Sequence, residues 1–88
     1  MTERFRRMIF AMFGGRCAYP GCPEEATEVH HALIHNTKPN KIKFPLLLKS
    51  LFIFRPVCHN CNSQHTNFWN ISNMRAAILE EWLREFNE

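Results

Sequence analysis

Apolar residues recur at helical spacing near both ends of the chain. Residues 3–13 carry them three and four positions apart, which predicts an amphipathic helix, and Gly14 and Gly15 are expected to end it. A second stretch predicts a helix over about residues 72–86, with Ser72 as its N-cap. We expect both apolar stripes to pack into the core. Their members are Phe5, Met8, Ile9, Met12 and Phe13, and then Ile71, Met74, Ile78, Trp82 and Phe86.

The middle of the chain follows no single period. Residues 27–34 contain β-branched residues and predict a short strand. Residues 36–45 hold asparagine, lysine and two prolines and predict a loop. Residues 46–54 are apolar, and their pattern does not distinguish a strand from a helix, whereas residues 60–69 predict a helix. At 88 residues, this mixture predicts one α+β domain over residues 1–88.

The composition is that of a globular domain with a small core. The chain is 45% hydrophobic and 22% charged, which argues against disorder. Domains of this size bury only about 60–65% of the surface that the unfolded chain exposes, so their cores are marginal and they often add disulfides or a structural metal. No apolar run approaches the length of a membrane span, and the first residues show no signal-peptide pattern. We therefore expect no membrane contact and a reducing cytoplasm.

Charge is distributed unevenly along the chain. The net charge is +3, and no acidic residue lies between Val29 and Leu79. A stretch whose charged residues are all basic is consistent with a surface that binds phosphate, and it is equally consistent with a solvated basic loop. The candidate nucleic-acid contacts are Lys38, Lys41, Lys43, Lys49 and Arg55.

The cysteines form two close pairs. Cys17 and Cys22 have four residues between them, and Cys58 and Cys61 have two. Zinc takes four ligands in a tetrahedron, and each knuckle supplies two thiolates, so the spacing predicts a structural Zn²⁺ site. The alternatives are disulfides, which a reducing compartment disfavours, and free buried thiols. A redox CxxC site would leave the first pair unexplained.

Between the two knuckles lies the sequence Glu28-Val29-His30-His31. Adjacent side chains on a strand point to opposite faces, so one imidazole can bind a metal while its neighbour faces elsewhere. Asn62 and His65 follow the second knuckle, and on a helix they would share a face.

Together these motifs resemble those of the HNH endonucleases. The matching features are Cys-x4-Cys, Glu-Val-His-His, and Arg-Pro-Val-Cys-His-Asn-Cys-Asn followed by a further histidine, over residues 17–66. The resemblance implies a small ββα-metal, treble-clef-like zinc domain, here flanked by N- and C-terminal helices. Many family members are phage or bacterial, which implies a bacterial or phage-infected cell.

The resemblance also implies roles for individual residues. The four cysteines would hold the structural zinc, and His30 and Asn62 would bind a catalytic divalent metal, Mg²⁺ or another. His31 would be the general base, and His65 would bind the metal or contact phosphate. The implied activity is metal-dependent hydrolysis of phosphodiester bonds in DNA with low sequence specificity. His59 is given a structural or phosphate-binding role, and His35 is a weaker candidate.

One position departs from the family pattern. The middle asparagine, which helps to hold the general base, corresponds to Ile53, which cannot form a hydrogen bond through its side chain. This leaves an alternative, an impaired HNH-like zinc module that binds nucleic acid or a protein partner as adaptor or inhibitor. Under the nuclease hypothesis, Ile53→Asn is expected to raise activity. Phe68, Trp69 and the last helix are candidate contacts for a homodimer or larger complex, although we favour a core role for them.

Overall fold

The computed structural model describes residues 1–87 and shows an α+β arrangement. Within that range, four α-helices and two short 3₁₀ turns surround a two-stranded sheet. In chain order the elements are α1 (Glu3–Ala11), β1 (Glu28–His31), α2 (Lys38–Lys43), the 3₁₀ turns Leu47–Lys49 and Leu51–Ile53, β2 (Phe54–Val57), α3 (His59–Gln64) and α4 (Asn73–Phe86). The predicted α+β class is confirmed.

The sheet is a single antiparallel pair. Glu28 lies opposite Val57, and His31 lies opposite Phe54. Pro56 is compatible with β2 because a two-stranded sheet needs ladder donors on one side of each strand only. On the outer side of β2, the Pro56 carbonyl accepts from the Ala18 N–H at 2.8 Å. The loop that carries the first cysteine pair is thereby fixed to the same strand that leads into the second pair.

The core lies between the sheet, α1 and the segment before β2. Ile9 of α1 is buried, and Phe5 meets Phe54 edge-on with ring centroids 5.5 Å apart. Met8, Met12 and Phe13 are exposed, so only the Phe5–Ile9 part of the predicted stripe is core. The buried members of the main cluster are Ile9, Ile34, Phe44, Leu47, Ile53, Phe54 and Ala76.

The last helix has the predicted bounds but buries a different face. Ser72 caps it, since its Oγ accepts from the Arg75 N–H at 3.2 Å. The residues that pack inward are Ala76 and Glu80, with Leu79 and Leu83 partly buried beside them. The prediction that its apolar stripe forms core is wrong for four members, because Met74, Ile78, Trp82 and Phe86 are 74%, 62%, 54% and 81% exposed.

Glu80 explains how the apolar segment before β2 folds. Its buried carboxylate accepts from the Leu46 N–H at 3.1 Å and from the Leu47 N–H at 2.8 Å. These are backbone donors at the start of a 3₁₀ turn, which has no partners for them of its own. The segment therefore adopts two turns anchored to α4, followed by a strand.

Two predicted boundaries need correction. The predicted loop 36–45 contains α2, whose N-cap Thr37 accepts from the Asn40 N–H at 3.4 Å. Pro39 lies in the first turn, where a helix needs no N–H donor. The helix predicted over 60–69 ends at Gln64, and turns follow it.

Candidate metal centre and histidine pair

The four cysteines form one cluster with the geometry of a metal site. The Sγ atoms of Cys17, Cys22, Cys58 and Cys61 all lie within 4.8 Å of one another, and Cys22 and Cys58 are 3.9 Å apart. A tetrahedron with Zn–S bonds of about 2.3 Å has edges of about 3.8 Å. All four thiols are free rather than paired. The cluster can therefore hold a metal ion such as zinc, which confirms that part of the prediction.

Local backbone geometry positions each knuckle. In the first, the Cys22 N–H donates to the Tyr19 carbonyl at 3.1 Å, and Gly21 takes the left-handed φ of 83° that a side chain would disfavour. In the second, Cys58 is the N-cap of α3, and its Sγ accepts from the Cys61 N–H at 3.4 Å. The sequence thus builds two tight turns that face each other.

The same contacts set the protonation of the thiols. The hydrogen bond from the Cys61 N–H lowers the pKa of the Cys58 thiol. Burial raises the pKa of the Cys61 thiol, and the neighbouring sulfurs raise it further. A metal-free cluster therefore retains protons that a metal ion must displace, so metal affinity should fall as pH falls.

His30 and His31 point to opposite faces of β1, as alternation along a strand predicts. His30 is 9% exposed, and its Nε2–H donates to the Thr66 carbonyl at 2.9 Å. This bond places a proton on Nε2, so the neutral form of the ring carries its lone pair on Nδ1. Among the described residues, every buried side-chain nitrogen and oxygen has a hydrogen-bond partner. Nδ1 has no such partner, so it is not fully buried and reaches solvent.

Glu28 shares the His30 face of β1 and connects it to α3. Its carboxylate accepts from Asn62 Nδ2 at 2.6 Å and from His59 Nδ1 at 2.9 Å. These bonds lower the pKa of Glu28, His59 first and Asn62 second, and raise the pKa of His59. With its nitrogen held by Glu28, the Asn62 amide turns its oxygen away from that carboxylate. Sequence reasoning gave Glu28 no role, although its position two residues before His30 could have placed it on this face.

His31 lies on the opposite face, at the wall of a groove of about 610 Å³. Its ring meets Phe54 edge-on with centroids 4.8 Å apart, and the groove also contains Lys41 and Lys49. Burial lowers the pKa of His31, and the electrostatic effects of the neighbouring His30 and Lys41 lower it further. The imidazole is therefore neutral near pH 7, beside two lysines that can attract an anion.

The predicted basic contacts divide into two groups. The four lysines are exposed, and two of them line the His31 groove. Arg55 instead donates from Nη1 to the carbonyls of Phe52 at 2.8 Å and Phe54 at 2.7 Å. Its guanidinium therefore has a structural role at the start of β2, with further N–H groups left for other partners.

His65 and His35 have different surroundings. His65 is close to His30, which bonds to the carbonyl of the next residue, Thr66, and whose ring centroid is 6.2 Å from that of Trp69. His65 stacks on Tyr19 with ring centroids 4.0 Å apart, in an aromatic cluster with Phe68 and Trp69. His35 donates from Nε2 to the Asn67 side-chain oxygen at 3.1 Å. Tyr19 was not singled out by sequence reasoning, and a lone tyrosine inside a cysteine knuckle offers no distinguishing signal.

Ile53 is fully buried in the main core, so its side chain has no access to solvent. Its carbonyl nevertheless anchors the chain that follows His31, because it accepts from the Ala32 N–H at 2.6 Å and the Leu33 N–H at 3.3 Å. The main chain at this position therefore holds the end of β1 without an asparagine side chain.

Comparison with protein-family models, with curated proteins and with solved structures finds no match. Within residues 1–87, the cysteine cluster is the single group of three or more histidine, cysteine or acidic side chains close enough to share a metal ion. None of the helices in that range is both long and apolar enough to cross a membrane.

Proposed function

We propose that the protein is a zinc-stabilised, metal-dependent endonuclease that hydrolyses phosphodiester bonds in DNA with low sequence specificity. The observation that carries this proposal is the setting of His31. A neutral imidazole with a lowered pKa stands in an open groove beside Lys41 and Lys49. That arrangement combines a general base with anion-binding charges, which hydrolysis of a phosphodiester requires.

His31 would accept a proton from the attacking water. Its neutral form is the competent one, and burial keeps that form populated near pH 7. The two groove lysines would hold the phosphate backbone, and Lys38 and Lys43 of α2 would extend the same positive surface. Such contacts go to the backbone rather than to base edges, which supports weak sequence preference.

His30 and Asn62 are the residues that would hold the catalytic divalent metal, Mg²⁺ or another. The hydrogen bond from His30 Nε2 to a backbone carbonyl leaves Nδ1 free to ligate, the usual arrangement for a metal-binding histidine. Glu28 holds Asn62 by its nitrogen and leaves the amide oxygen available. When bound, such a metal polarises the phosphate and stabilises the leaving oxygen.

The order of elements supports the finer assignment of a ββα-metal, treble-clef-like zinc domain of the HNH type. The first knuckle is followed by β1, β2 and α3, and the second cysteine pair sits at the start of α3. The proposed setting is the cytoplasm of a bacterial or phage-infected cell, and the proposed partner is DNA.

A specific observation favours a second candidate, a non-catalytic zinc module that binds nucleic acid. His31 has no hydrogen-bond partner among the described residues and contacts the Phe54 ring instead. Its ring also lies on the other face of β1 from His30. Under this alternative the lysines and zinc cluster serve binding alone, and no residue activates water.

Plasmid nicking by the purified, zinc-loaded protein tests the choice. We would add magnesium, manganese or nickel and compare wild type with His31→Ala and with the control His35→Ala, which removes an exposed histidine outside the groove. Metal-dependent nicking that is lost in His31→Ala and kept in His35→Ala supports the nuclease. Plasmid binding without nicking in any metal supports the non-catalytic module.

A further inference from the structure

The exposed side of α4 carries a continuous apolar stripe. Met74, Ile78, Trp82 and Phe86 follow one another at intervals of four residues, and all are more than half exposed. The stripe runs for about 18 Å at 1.5 Å rise per residue. Single exposed apolar side chains are ordinary on a protein surface, whereas a contiguous row marks an interaction site. Trp82 and Phe86 already contact each other, with ring centroids 6.4 Å apart.

We propose that this stripe is a homodimer interface in which α4 packs antiparallel against α4 of a second copy. An antiparallel two-fold arrangement matches the stripe to itself, with Ile78 beside Trp82 of the second copy and Met74 beside Phe86 of the second copy. The ends of the stripe then bring methionine against an aromatic ring, which is a favourable contact.

The charges along the exposed side of α4 favour the antiparallel direction. Its first half carries Arg75 and the positive end of the helix dipole. Its second half carries Arg84, which pairs with Glu80 and Glu81 of the same helix, and Glu85, which is left without an ion pair there. In the matched register Arg75 lies at the level of Glu85 of the second copy. Neither Arg75 nor Glu85 makes an ion pair within the described residues. A parallel pair would place like charges at the same level instead.

The available area is at the lower end of the range for a specific dimer. Taking roughly 150–250 Å² for each large side chain, the exposed fractions of the four amount to roughly 500 Å² per copy. Two copies would bury about 1,000 Å², which reaches the lower bound for a specific interface. We therefore expect a reversible dimer whose population depends on protein concentration.

Sedimentation equilibrium of the zinc-loaded chain tests this proposal with a matched pair of variants. Ile78→Lys places a charge in the stripe, and Ile42→Lys makes the same change at an isoleucine of α2 that is 72% exposed. We expect Ile78→Lys to raise the dimer dissociation constant at least about 100-fold, because both copies lose a buried side chain and gain a charge. Ile42→Lys should leave it unchanged. Phe86→Ser, at an 81% exposed position, is a second variant with no expected effect on folding.

Charge exchange tests the orientation. Arg75→Glu and Glu85→Arg should each weaken the dimer several-fold, and the double variant should restore it. A wild-type monomer at all concentrations, or equal effects of Ile78→Lys and Ile42→Lys, would overturn the interface. A double variant weaker than both single variants would overturn the antiparallel pairing. None of these readouts depends on nuclease activity, so the dimer and the proposed function fail or succeed separately.

Discussion

Glu80 provides a test of how α4 holds the apolar segment before β2. This carboxylate is 3% exposed and accepts two backbone hydrogen bonds, from Leu46 at 3.1 Å and Leu47 at 2.8 Å. Arg84 approaches it at 3.7 Å from the exposed side. Pro45, Leu48 and Lys49 of the same segment line the His31 groove, so Glu80 connects α4 to the candidate site.

The magnitude follows from the two bonds. A hydrogen bond to a charged group contributes about 1.5–3 kcal/mol, and a buried donor without a partner costs about 1–3 kcal/mol. We expect Glu80→Ala to lower the free energy of unfolding by about 3–5 kcal/mol, since it leaves the Leu46 and Leu47 N–H groups without an acceptor. Glu80→Gln keeps one acceptor and should cost about 1.5–3 kcal/mol. The control Glu81→Ala, at a 63% exposed side chain, should change it by less than about 0.5 kcal/mol.

Urea denaturation of the zinc-loaded protein, followed by tryptophan fluorescence, gives these free energies. Glu80→Gln keeps the comparison informative if Glu80→Ala fails to fold. The reasoning is refuted if Glu80→Ala costs no more than Glu81→Ala, because the carboxylate would then contribute nothing beyond a surface charge.

Three further predictions concern the zinc cluster, His31 and Ile53. Removing zinc with a chelator, or the change Cys58→Ser, should abolish cooperative thermal unfolding. The wild-type protein should bind one zinc ion per chain. A metal-free chain with an unchanged melting temperature would contradict this prediction. The cleavage rate should rise with pH and reach half its maximum below pH 6.5, because the folded pKa of His31 is lowered and only the neutral form accepts a proton. Lys41→Ala removes a charge that lowers this pKa, so it should move the midpoint of the pH profile upward. A wild-type midpoint above pH 6.5 would argue against His31 as the base. Ile53→Asn should destabilise the protein by about 3 kcal/mol or more rather than raise activity, because it buries an amide in the core. An unchanged denaturation midpoint would show that this reasoning is wrong.

Short-range patterns in the sequence predicted those features of the fold that depend on neighbouring residues. The spacing of the cysteines gave their cluster, Ser72 gave the start of α4, and alternation along β1 gave the opposite faces of His30 and His31. Each knuckle, the N-cap and the alternation depend on residues a few positions apart. The meeting of the two knuckles, whose Cys22 and Cys58 are 36 residues apart, was inferred from the four ligands that zinc needs. The helix α2 was missed although Thr37 and Pro39 form a start signal, because the lysines and prolines around them are typical of loops.

The features that were not predicted depend on partners far along the chain. Glu80 is buried because two backbone donors more than 30 residues away need an acceptor. That pairing turns α4 so that Ala76 and Glu80 face inward, whereas Met74, Ile78, Trp82 and Phe86 face solvent. Periodicity reports that a helix has an apolar stripe, and it does not report whether that stripe meets the core or a second molecule. Glu28 is similar, since its contacts with His59 and Asn62 span 31 and 34 residues.

The most direct test of the central claim measures binding and cleavage of one DNA on the same protein samples. Zinc-loaded wild type and His31→Ala would be titrated onto a supercoiled plasmid, first without and then with manganese. The proposal predicts equal DNA affinity for the two proteins and metal-dependent nicking by wild type alone, because His31 activates water and the lysines bind the backbone. Equal nicking by both proteins, or binding by wild type without nicking in any divalent metal, would contradict the assignment of His31 as the general base of a nuclease.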